Sequence, residues 1–251
     1  MTFPLILRKP RVLFGAVAAF LVGMVLAWFA LTEIVYQVAV VDIAPRIAPP
    51  PQRILPLKIL QVGWVSQRES GKMRLRPAML GWIPVAFFAP GMSGSPMDEA
   101  WNSAGFSTSE RAGRMFFRRD SLVHWHSLRS HKERLMATIW ITRHWTAEQA
   151  VTGLVEKSYY GCSMYDLDTA SRAYLGKPVD SLDLPQMVAI MAYGRNPERY
   201  RKDSVAFEAA FSSLQDRVIE NFPELASEKG AMPRFLVNAC PRRPMDSLQE
   251  P

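Results

Sequence analysis

The sequence predicts a mainly α-helical domain behind one N-terminal membrane-spanning helix. An uncharged run occupies residues 12–32, which is long enough to cross a bilayer. The second half of the chain combines helix-capping residues, apolar residues at helical spacing and glycines where helices should end. No strong alternating strand pattern follows residue 100. The predicted fold class is therefore mainly α, with more than five helices.

The composition indicates a folded, basic protein. The 251 residues are 49% hydrophobic and 11% aromatic, which argues against disorder. A net charge of +7 suits an anionic partner, such as lipid head groups or a phosphorylated substrate. Nucleic acid is disfavoured behind a membrane anchor. Two cysteines, Cys162 and Cys240, are too few for a disulfide scaffold, and the sequence leaves open whether they pair.

The first element is the anchor at residues 12–32. At about 1.5 Å per residue, this run spans a hydrocarbon core of about 30 Å. Residues 1–11 form a basic tail, whereas Glu33 and Asp42 follow the run, so the positive-inside rule predicts a cytoplasmic N-terminus. A cleaved signal peptide is the alternative, but its apolar segment is usually about 7–15 residues long. An uncleaved anchor is therefore favoured.

A proline-rich segment separates the anchor from the domain. Four prolines stand between Ile43 and Arg53, a composition typical of a stiff, extended stalk. The sequence therefore predicts a stalk at residues 33–56, a domain at 57–240 and a flexible tail at 241–251.

Five helices are predicted in the second half of the domain. Most of their starts are marked by hydroxyl or carboxylate caps, and most of their ends by glycine. In order, they are 128–145; a helix from the capping box Thr146–Gln149 to near Gly161; a helix from Asp166 or Asp168 to Gly176; a helix from Asp183 to Gly194; and a helix from about Ser204, with Phe207, Phe211, Leu214 and Val218 on one stripe.

Short motifs along these helices are similar to those of one enzyme family. The motifs are W-T-A-E at 145–148, Y-G at 160–161, T-A-S-R-A-Y-L-G-K at 169–177, L-D-L at 182–184 and N-P-E-R-Y at 196–200. Their order and spacing resemble those of the peptidoglycan glycosyltransferases, glycosyltransferase family 51. This family includes the monofunctional transglycosylases and the transglycosylase module of class A penicillin-binding proteins.

The resemblance implies a lysozyme-like helical transglycosylase domain that works outside the cytoplasmic (inner) membrane, in the periplasm. In such enzymes, a sugar 4-hydroxyl attacks the anomeric carbon of a lipid-linked sugar and expels a polyprenyl pyrophosphate. The implied partners are the lipid-linked peptidoglycan precursor or a glycan strand, the membrane and other cell-wall synthesis proteins, with no nucleic acid. The resemblance implies no cofactor, although an active enzyme could use a divalent metal at the pyrophosphate.

The family's general base has no counterpart in the alignment. The base is taken to be the glutamate of a first motif, E-D-x-x-F-x-x-H-x-G. The best alignment places Phe87 and Phe88 at Glu-Asp, and a shifted one places Ile83 there. None of these residues can accept a proton, and general-base catalysis is worth about 10²–10⁴ in rate. We therefore expect a pseudoenzyme that keeps the fold and ligand binding while catalysis is impaired.

The remaining motifs supply candidate site residues. Glu133 is the candidate catalytic residue, because it lies one position from the glutamate of the family's R-K-x-x-E motif; a solvated helix charge is the alternative. Neutralising the leaving pyrophosphate requires cations. The candidate substrate-binding residues are Arg111, Arg114, Lys132, Ser171 and Arg172. Arg172 could equally form a structural ion pair, and Ser171 could be architectural.

Two other functions stay open. An active glycan polymerase could use a displaced carboxylate such as Glu69, Glu99, Glu110 or Glu133. A lytic enzyme that cleaves glycan would also need one acidic residue in a cleft. No metal site is predicted, since the two histidines in His124-Trp125-His126 have no third ligand nearby.

Overall fold

The computed structural model describes residues 10–81, 105–117 and 128–236. Within these ranges the regular secondary structure is helical, and an isolated antiparallel bridge joins Ile47 to Phe117. The prediction of a mainly α fold is confirmed. In chain order, the α-helices are α1 Pro10–Ile43, α2 Leu57–Ser66, α3 Phe106–Phe116, α4 Leu128–His144, α5 Ala147–Lys157, α6 Leu167–Leu175, α7 Leu184–Tyr193, α8 Pro197–Tyr200 and α9 Ser204–Asn221. Short 3₁₀ helices occupy Ala44–Arg46, Val179–Ser181 and Pro223–Glu228.

Helix α1 is long and apolar enough to cross a membrane, by its length and composition. It continues beyond the predicted end of the span at Thr32 and stops at Ile43. No proline interrupts the sequence between these two points, and the first one after them is Pro45. The helix therefore extends well into the segment predicted as a stalk.

The rest of that segment also differs from the predicted stalk, because it packs on the domain. Ile47 and Leu55 are buried. The backbone N–H of Ala48 donates to the carbonyl of Phe116 at 3.0 Å, and that of Leu55 donates to Thr152 Oγ1 at 3.3 Å. Apolar side chains between the prolines gain burial here, which an extended, solvated stalk could not provide.

The predicted helix starts in the second half are confirmed by their caps. Thr146 and Gln149 form a reciprocal capping box at the start of α5, with bonds of 3.2 and 2.9 Å. Asp166, one of the two predicted alternatives, caps α6 by accepting from the Thr169 N–H at 2.8 Å. Gly176 ends α6 in the left-handed conformation, with φ of 69°.

The core has two clusters of buried residues, and helix α5 contributes to both. In the first, α7 is buried throughout Met187–Ala192, between α2, α6 and α9. The predicted apolar stripe of α9 packs into this cluster, with Phe207 and Leu214 buried. In the second, α3 packs against α4 and α5. The C-terminal parts of α2, α3, α5 and α7 come together at one place on the domain.

Candidate functional site

A cavity of about 550 Å³ lies where these four helix ends meet. Four of its lining residues are arginines: Arg68, Arg111, Arg114 and Arg195. Gln67 also lines it. Its volume falls within the range of about 300–1,000 Å³ that is typical of small-molecule sites.

Each arginine is positioned by a buried element. Arg68 follows the end of α2, which is buried from Ile59 to Ser66. Arg111 and Arg114 lie one turn apart on α3, whose Gly113 approaches α4 so closely that a Cβ would lie 3.2 Å from Thr138 Oγ1.

Arg195 is held in the turn that follows α7. The preceding Gly194 packs against the ring of Tyr160, and a Cβ at this position would lie 2.8 Å from a ring carbon. Glycine therefore allows the close approach that brings Arg195 to the cavity.

The cavity concentrates positive charge. Burial and the nearby Arg195 and Arg68 lower the pKa of Arg111. Among the described residues that line the cavity, none is aspartate or glutamate. Arg111 donates to Gln67 Oε1 at 2.6 Å, and Arg114 pairs with Glu110 on the same helix. An anion entering the cavity would relieve the repulsion between the guanidinium groups.

A buried carboxylate fixes the helix that carries two of these arginines. Glu69 is only 2% exposed, and its Oε1 accepts from the Thr108 N–H in the first turn of α3 at 2.8 Å. A carboxylate at this position satisfies a free donor of the helix and complements its dipole. Burial raises the pKa of Glu69, and the hydrogen bonds from Thr108 oppose the shift.

We expect the stability of the protein to depend on the ionisation of Glu69. Because the pKa is raised in the folded state, its contribution to stability is fully present below the unfolded-state pKa and is lost as the pH rises through the folded-state pKa. Glu69→Gln should flatten this dependence of stability on pH, because glutamine does not titrate. Its amide oxygen can still accept the hydrogen bond from the Thr108 N–H. Glu69→Ala should cost about 1–3 kcal/mol at low pH, because it leaves a buried donor unpaired, and the cost should fall as the pH rises through the folded-state pKa.

Thermal melts of both variants between pH 4 and 9 would check this prediction. Glu208→Gln serves as the control, since Glu208 is an exposed residue of α9. A Glu69→Gln variant whose melting temperature follows the wild-type pH profile would contradict it.

The structure brings two of the predicted binding residues together and places the others elsewhere. Arg111 and Arg114 both line the cavity. Lys132 is exposed on α4, and Arg172 is exposed on α6, where it pairs with Asp168 at 2.7 Å. Neither lines the cavity, so a direct role for them in binding stays a prediction.

Glu133 and Ser171 also lie outside the cavity lining. Glu133 accepts from Arg46 at 3.2 Å, at the junction between α4 and the segment after α1. Ser171 is fully buried and donates to the carbonyl of Lys177, which holds the turn that follows α6. These contacts are structural, and the predicted site roles of the two residues stay predictions.

Several other predictions fall on residues outside the described ranges. They concern the residues aligned with the family's general base, namely Ile83, Phe87 and Phe88, the candidate carboxylate Glu99 and the histidines at 124 and 126. The pairing of the cysteines also involves Cys240, which lies outside these ranges; Cys162 is disulfide-bonded.

Residues 112–222 match the family model of the transglycosylase domain. The chain therefore contains a transglycosylase domain. The match begins within α3, ends after α9 and includes Arg114 and Arg195 of the cavity. No curated protein matches the chain. The predicted fold is confirmed as a helical transglycosylase domain behind an N-terminal helix that could span a membrane.

Three polar residues that line the cavity of this transglycosylase-domain protein, Gln67, Arg68 and Arg195, were not predicted from its sequence. Gln67 and Arg68 lie in a region where neither periodicity nor motif spacing gave a guide. Arg195 directly precedes the N-P-E-R-Y motif at 196–200, and this position was the one available signal. A divalent cation does not fit the cavity lining, since arginines repel it and the described lining offers no carboxylate.

Proposed function

We propose that this protein is a membrane-anchored, peptidoglycan glycosyltransferase-like protein that binds the pyrophosphate of a lipid-linked glycan precursor, with catalysis impaired. The single observation that carries the proposal is the cavity of the transglycosylase domain, lined by four arginines and, among the described residues, by no carboxylate. The proposal therefore assigns the cavity to binding rather than to proton transfer.

Arginine suits the proposed ligand. Its planar guanidinium group donates two parallel hydrogen bonds to phosphate oxygens and stays charged at neutral pH. The four guanidinium groups converge on one concave site, where like charges add to the potential that attracts an anion. A pyrophosphate carries several negative charges close together, which matches a cluster of guanidinium groups in one cavity. Because arginine supplies the neutralising charge, the proposal requires no metal ion.

Impaired catalysis is proposed because the cavity lacks a proton acceptor among its described residues. Gln67 faces Arg111 at 2.6 Å, and its amide oxygen does not take a proton at neutral pH. Glycosyl transfer needs a base to draw the proton from the attacking hydroxyl, a contribution of about 10²–10⁴ in rate. Binding of the precursor needs no such group.

An active polymerase is the alternative, and it would depend on a displaced carboxylate. Glu69 is buried and bonded to α3, Glu110 pairs with Arg114, and Glu133 is bonded to Arg46. In these conformations, all three carboxylates already serve structural contacts. The alternative would therefore require one of them to exchange its partner for the substrate.

The proposed location is the cytoplasmic membrane, with the N-terminus inside and the domain in the periplasm. Helix α1 supports the anchor by its length and composition. The disulfide at Cys162 fits an oxidising compartment. The proposed partners are the lipid-linked precursor or a glycan strand and other cell-wall synthesis proteins.

The proposal predicts that the full-length protein in nanodiscs binds labelled lipid-linked disaccharide without forming polymer. Binding should be competed by inorganic pyrophosphate, because the proposed contacts are made to the phosphates. Gel analysis of the glycan product and equilibrium binding would be measured on the same sample, with an active transglycosylase as the positive control.

Three outcomes would decide between the functions. Polymer formation would support the alternative, and the absence of both binding and polymer would overturn the proposal. Release of reducing ends from isolated cell wall would indicate a lytic enzyme instead.

A further inference from the structure

Two tyrosine side chains project from the turn between α5 and α6. Tyr159 and Tyr165 are 37% and 63% exposed. Their ring centroids lie 5.2 Å apart and their planes are tilted by 42°, so the two rings form one continuous aromatic surface, called the tyrosine pair below. Aromatic rings that stay exposed side by side gain little from burial in the domain, whereas they offer an apolar contact to a ligand.

The turn that carries the tyrosine pair has a closed backbone in an uncommon conformation. The Tyr160 N–H donates to the carbonyl of Met164 at 2.9 Å, and the Met164 N–H donates to the carbonyl of Gly161 at 2.9 Å. The three consecutive residues Gly161, Cys162 and Ser163 are left-handed, with φ of 89°, 53° and 62°. Cysteine and serine rarely adopt this conformation, and residues held in it cluster at functional sites.

The base of the turn is packed tightly on the core. Tyr160 is only 2% exposed, and its carbonyl accepts from the Tyr174 hydroxyl at 2.7 Å. A Cβ on Gly161 would lie 2.9 Å from the Cβ of Pro197 and equally close to the Tyr174 hydroxyl, so only glycine fits there. A ligand that stacks on rings held by such a base needs to order little of the protein.

Polar groups flank the tyrosine pair. The hydroxyl of Tyr159 donates to Glu198 Oε1 at 3.3 Å. Glu198 is exposed and also accepts from Arg201 at 3.1 Å. Because a carboxylate has about four lone-pair sites, Glu198 can still accept a hydrogen bond from a ligand. The surface therefore combines an apolar aromatic face with a hydrogen-bonding edge.

The tyrosine pair lies beside the arginine cavity but outside it. Ser158 and Tyr160, on either side of Tyr159 in the chain, both line the cavity, whereas neither member of the pair does. Arg195 of the cavity lies three residues before Glu198 in the sequence. A ligand on the tyrosine pair would therefore lie close to a group that is bound in the cavity.

We propose that the tyrosine pair is a carbohydrate-binding surface on which a sugar ring of a glycan chain stacks. A pyranose ring matches this surface, because one of its faces carries C–H groups that pack on aromatic rings and its edge carries hydroxyls. A purely apolar chain would cover the polar groups at the edge without bonding to them. The source of the glycan, a peptidoglycan strand, rests on the proposed function, whereas the surface itself lies outside the cavity that carries that function.

The test is saturation-transfer NMR of an N-acetylglucosamine tetramer with the full-length protein in nanodiscs, with empty nanodiscs as the background. The ring protons of one sugar face should receive more saturation than the acetyl methyl groups, because stacking brings that face closest to the protein. In titrations, Tyr165→Ala should weaken the affinity about tenfold. The matched control Tyr165→Phe keeps the ring and should change the affinity by about twofold or less. Tyr165→Leu keeps apolar area without a ring and should behave like the alanine variant.

Two further measurements distinguish the carbohydrate surface from the proposed pyrophosphate site. Inorganic pyrophosphate should not displace the tetramer, since the tyrosine pair does not line the cavity. The double alanine variant at Arg111 and Arg114 should bind the tetramer as the wild type does. Binding of the tetramer by a protein that does not bind pyrophosphate would thus overturn the proposed function and leave the carbohydrate surface supported.

Two results would overturn the assignment of a carbohydrate surface. Unchanged affinity in Tyr165→Ala would show that the sugar binds elsewhere, and a wild type that gives only background transfer at millimolar tetramer would show that it binds no such sugar. Leu57→Ala controls for the loss of an exposed apolar side chain, since Leu57 on α2 is 62% exposed. If Tyr165→Ala fails to fold, as judged by its circular dichroism spectrum, Tyr165→Leu provides the same comparison.

Discussion

Replacing Arg111 and Arg114 together by alanine is expected to weaken binding of inorganic pyrophosphate about a hundredfold. A hydrogen bond to a charged group is worth about 1.5–3 kcal/mol, and about 1.4 kcal/mol corresponds to a tenfold change in affinity. Two lost guanidinium groups should therefore reduce affinity by at least two powers of ten. Isothermal titration calorimetry on the full-length protein in nanodiscs would measure the change.

The control removes the same charge from outside the cavity. Arg53 and Arg201 are exposed and pair with Asp180 and Glu198, at 3.4 and 3.1 Å. The double alanine variant at these positions has the same net charge as the cavity variant. It should bind pyrophosphate within about threefold of the wild type, because neither Arg53 nor Arg201 lines the cavity and salt screens charges at a distance. Equal losses in both variants would show that binding follows net charge and not the cavity.

The same substitution should leave the unliganded protein folded. Arg111 is surrounded by like charges, and burial together with Arg195 and Arg68 lowers its pKa. Removing it relieves repulsion while it costs the hydrogen bond to Gln67. These effects oppose each other, so the free energy of unfolding should change by about 1 kcal/mol or less. A loss of binding in a protein of nearly wild-type stability could then be assigned to the site.

Helix positions in the second half were predictable because the signals are local. The capping box of Thr146 and Gln149 and the left-handed Gly176 each involve residues within one helical turn. Side-chain and backbone chemistry at such spacing decides where a helix begins or ends, largely without help from the rest of the fold. The same holds for the apolar run of α1.

The packed course of residues 33–56 could not be predicted in the same way. Proline-rich composition indicates an extended chain, but it does not show whether that chain packs against the folded domain. Ile47 is buried against Phe117, far along the sequence, and Pro51 lies near Gly153 of α5. Burial of this kind depends on tertiary contacts, which override local preference.

The candidate site was predictable only in part, for a similar reason. Arg111 and Arg114 were predicted as candidate cations for a pyrophosphate, and both lie on α3. Gln67, Arg68 and Arg195 reach the same cavity from two other helix ends, and only the packing of α2 against α7 brings them there. Glu133 matched a motif closely, but the structure pairs it with Arg46.

Replacing Arg143 by methionine is expected to lower the free energy of unfolding by about 2–3 kcal/mol. Removing one partner of a buried ion pair costs about 3–5 kcal/mol, because the remaining charge is left without compensation. A lower value is expected here, since the side chains of Arg143 and Glu33 are 18% and 32% exposed. Methionine keeps much of the side chain's apolar contact with Tyr36. For a protein of this size, the melting temperature in nanodiscs should fall by about 4–12 °C.

The double variant Glu33→Gln/Arg143→Met separates the ion pair from the packing around it. The loss of stability in Arg143→Met is expected to come from the Glu33 carboxylate, which is left without its ion-pair partner. Neutralising Glu33 should therefore restore at least half of the lost stability. The exposed pair of Arg201 and Glu198 provides the matched comparison, and its single variants should change stability by about 0.5 kcal/mol or less. Additive losses at Glu33 and Arg143 would contradict the argument, since independent side chains give no coupling energy. Restoration by the second substitution would show that the pair serves to keep charge compensated where α1 joins the domain.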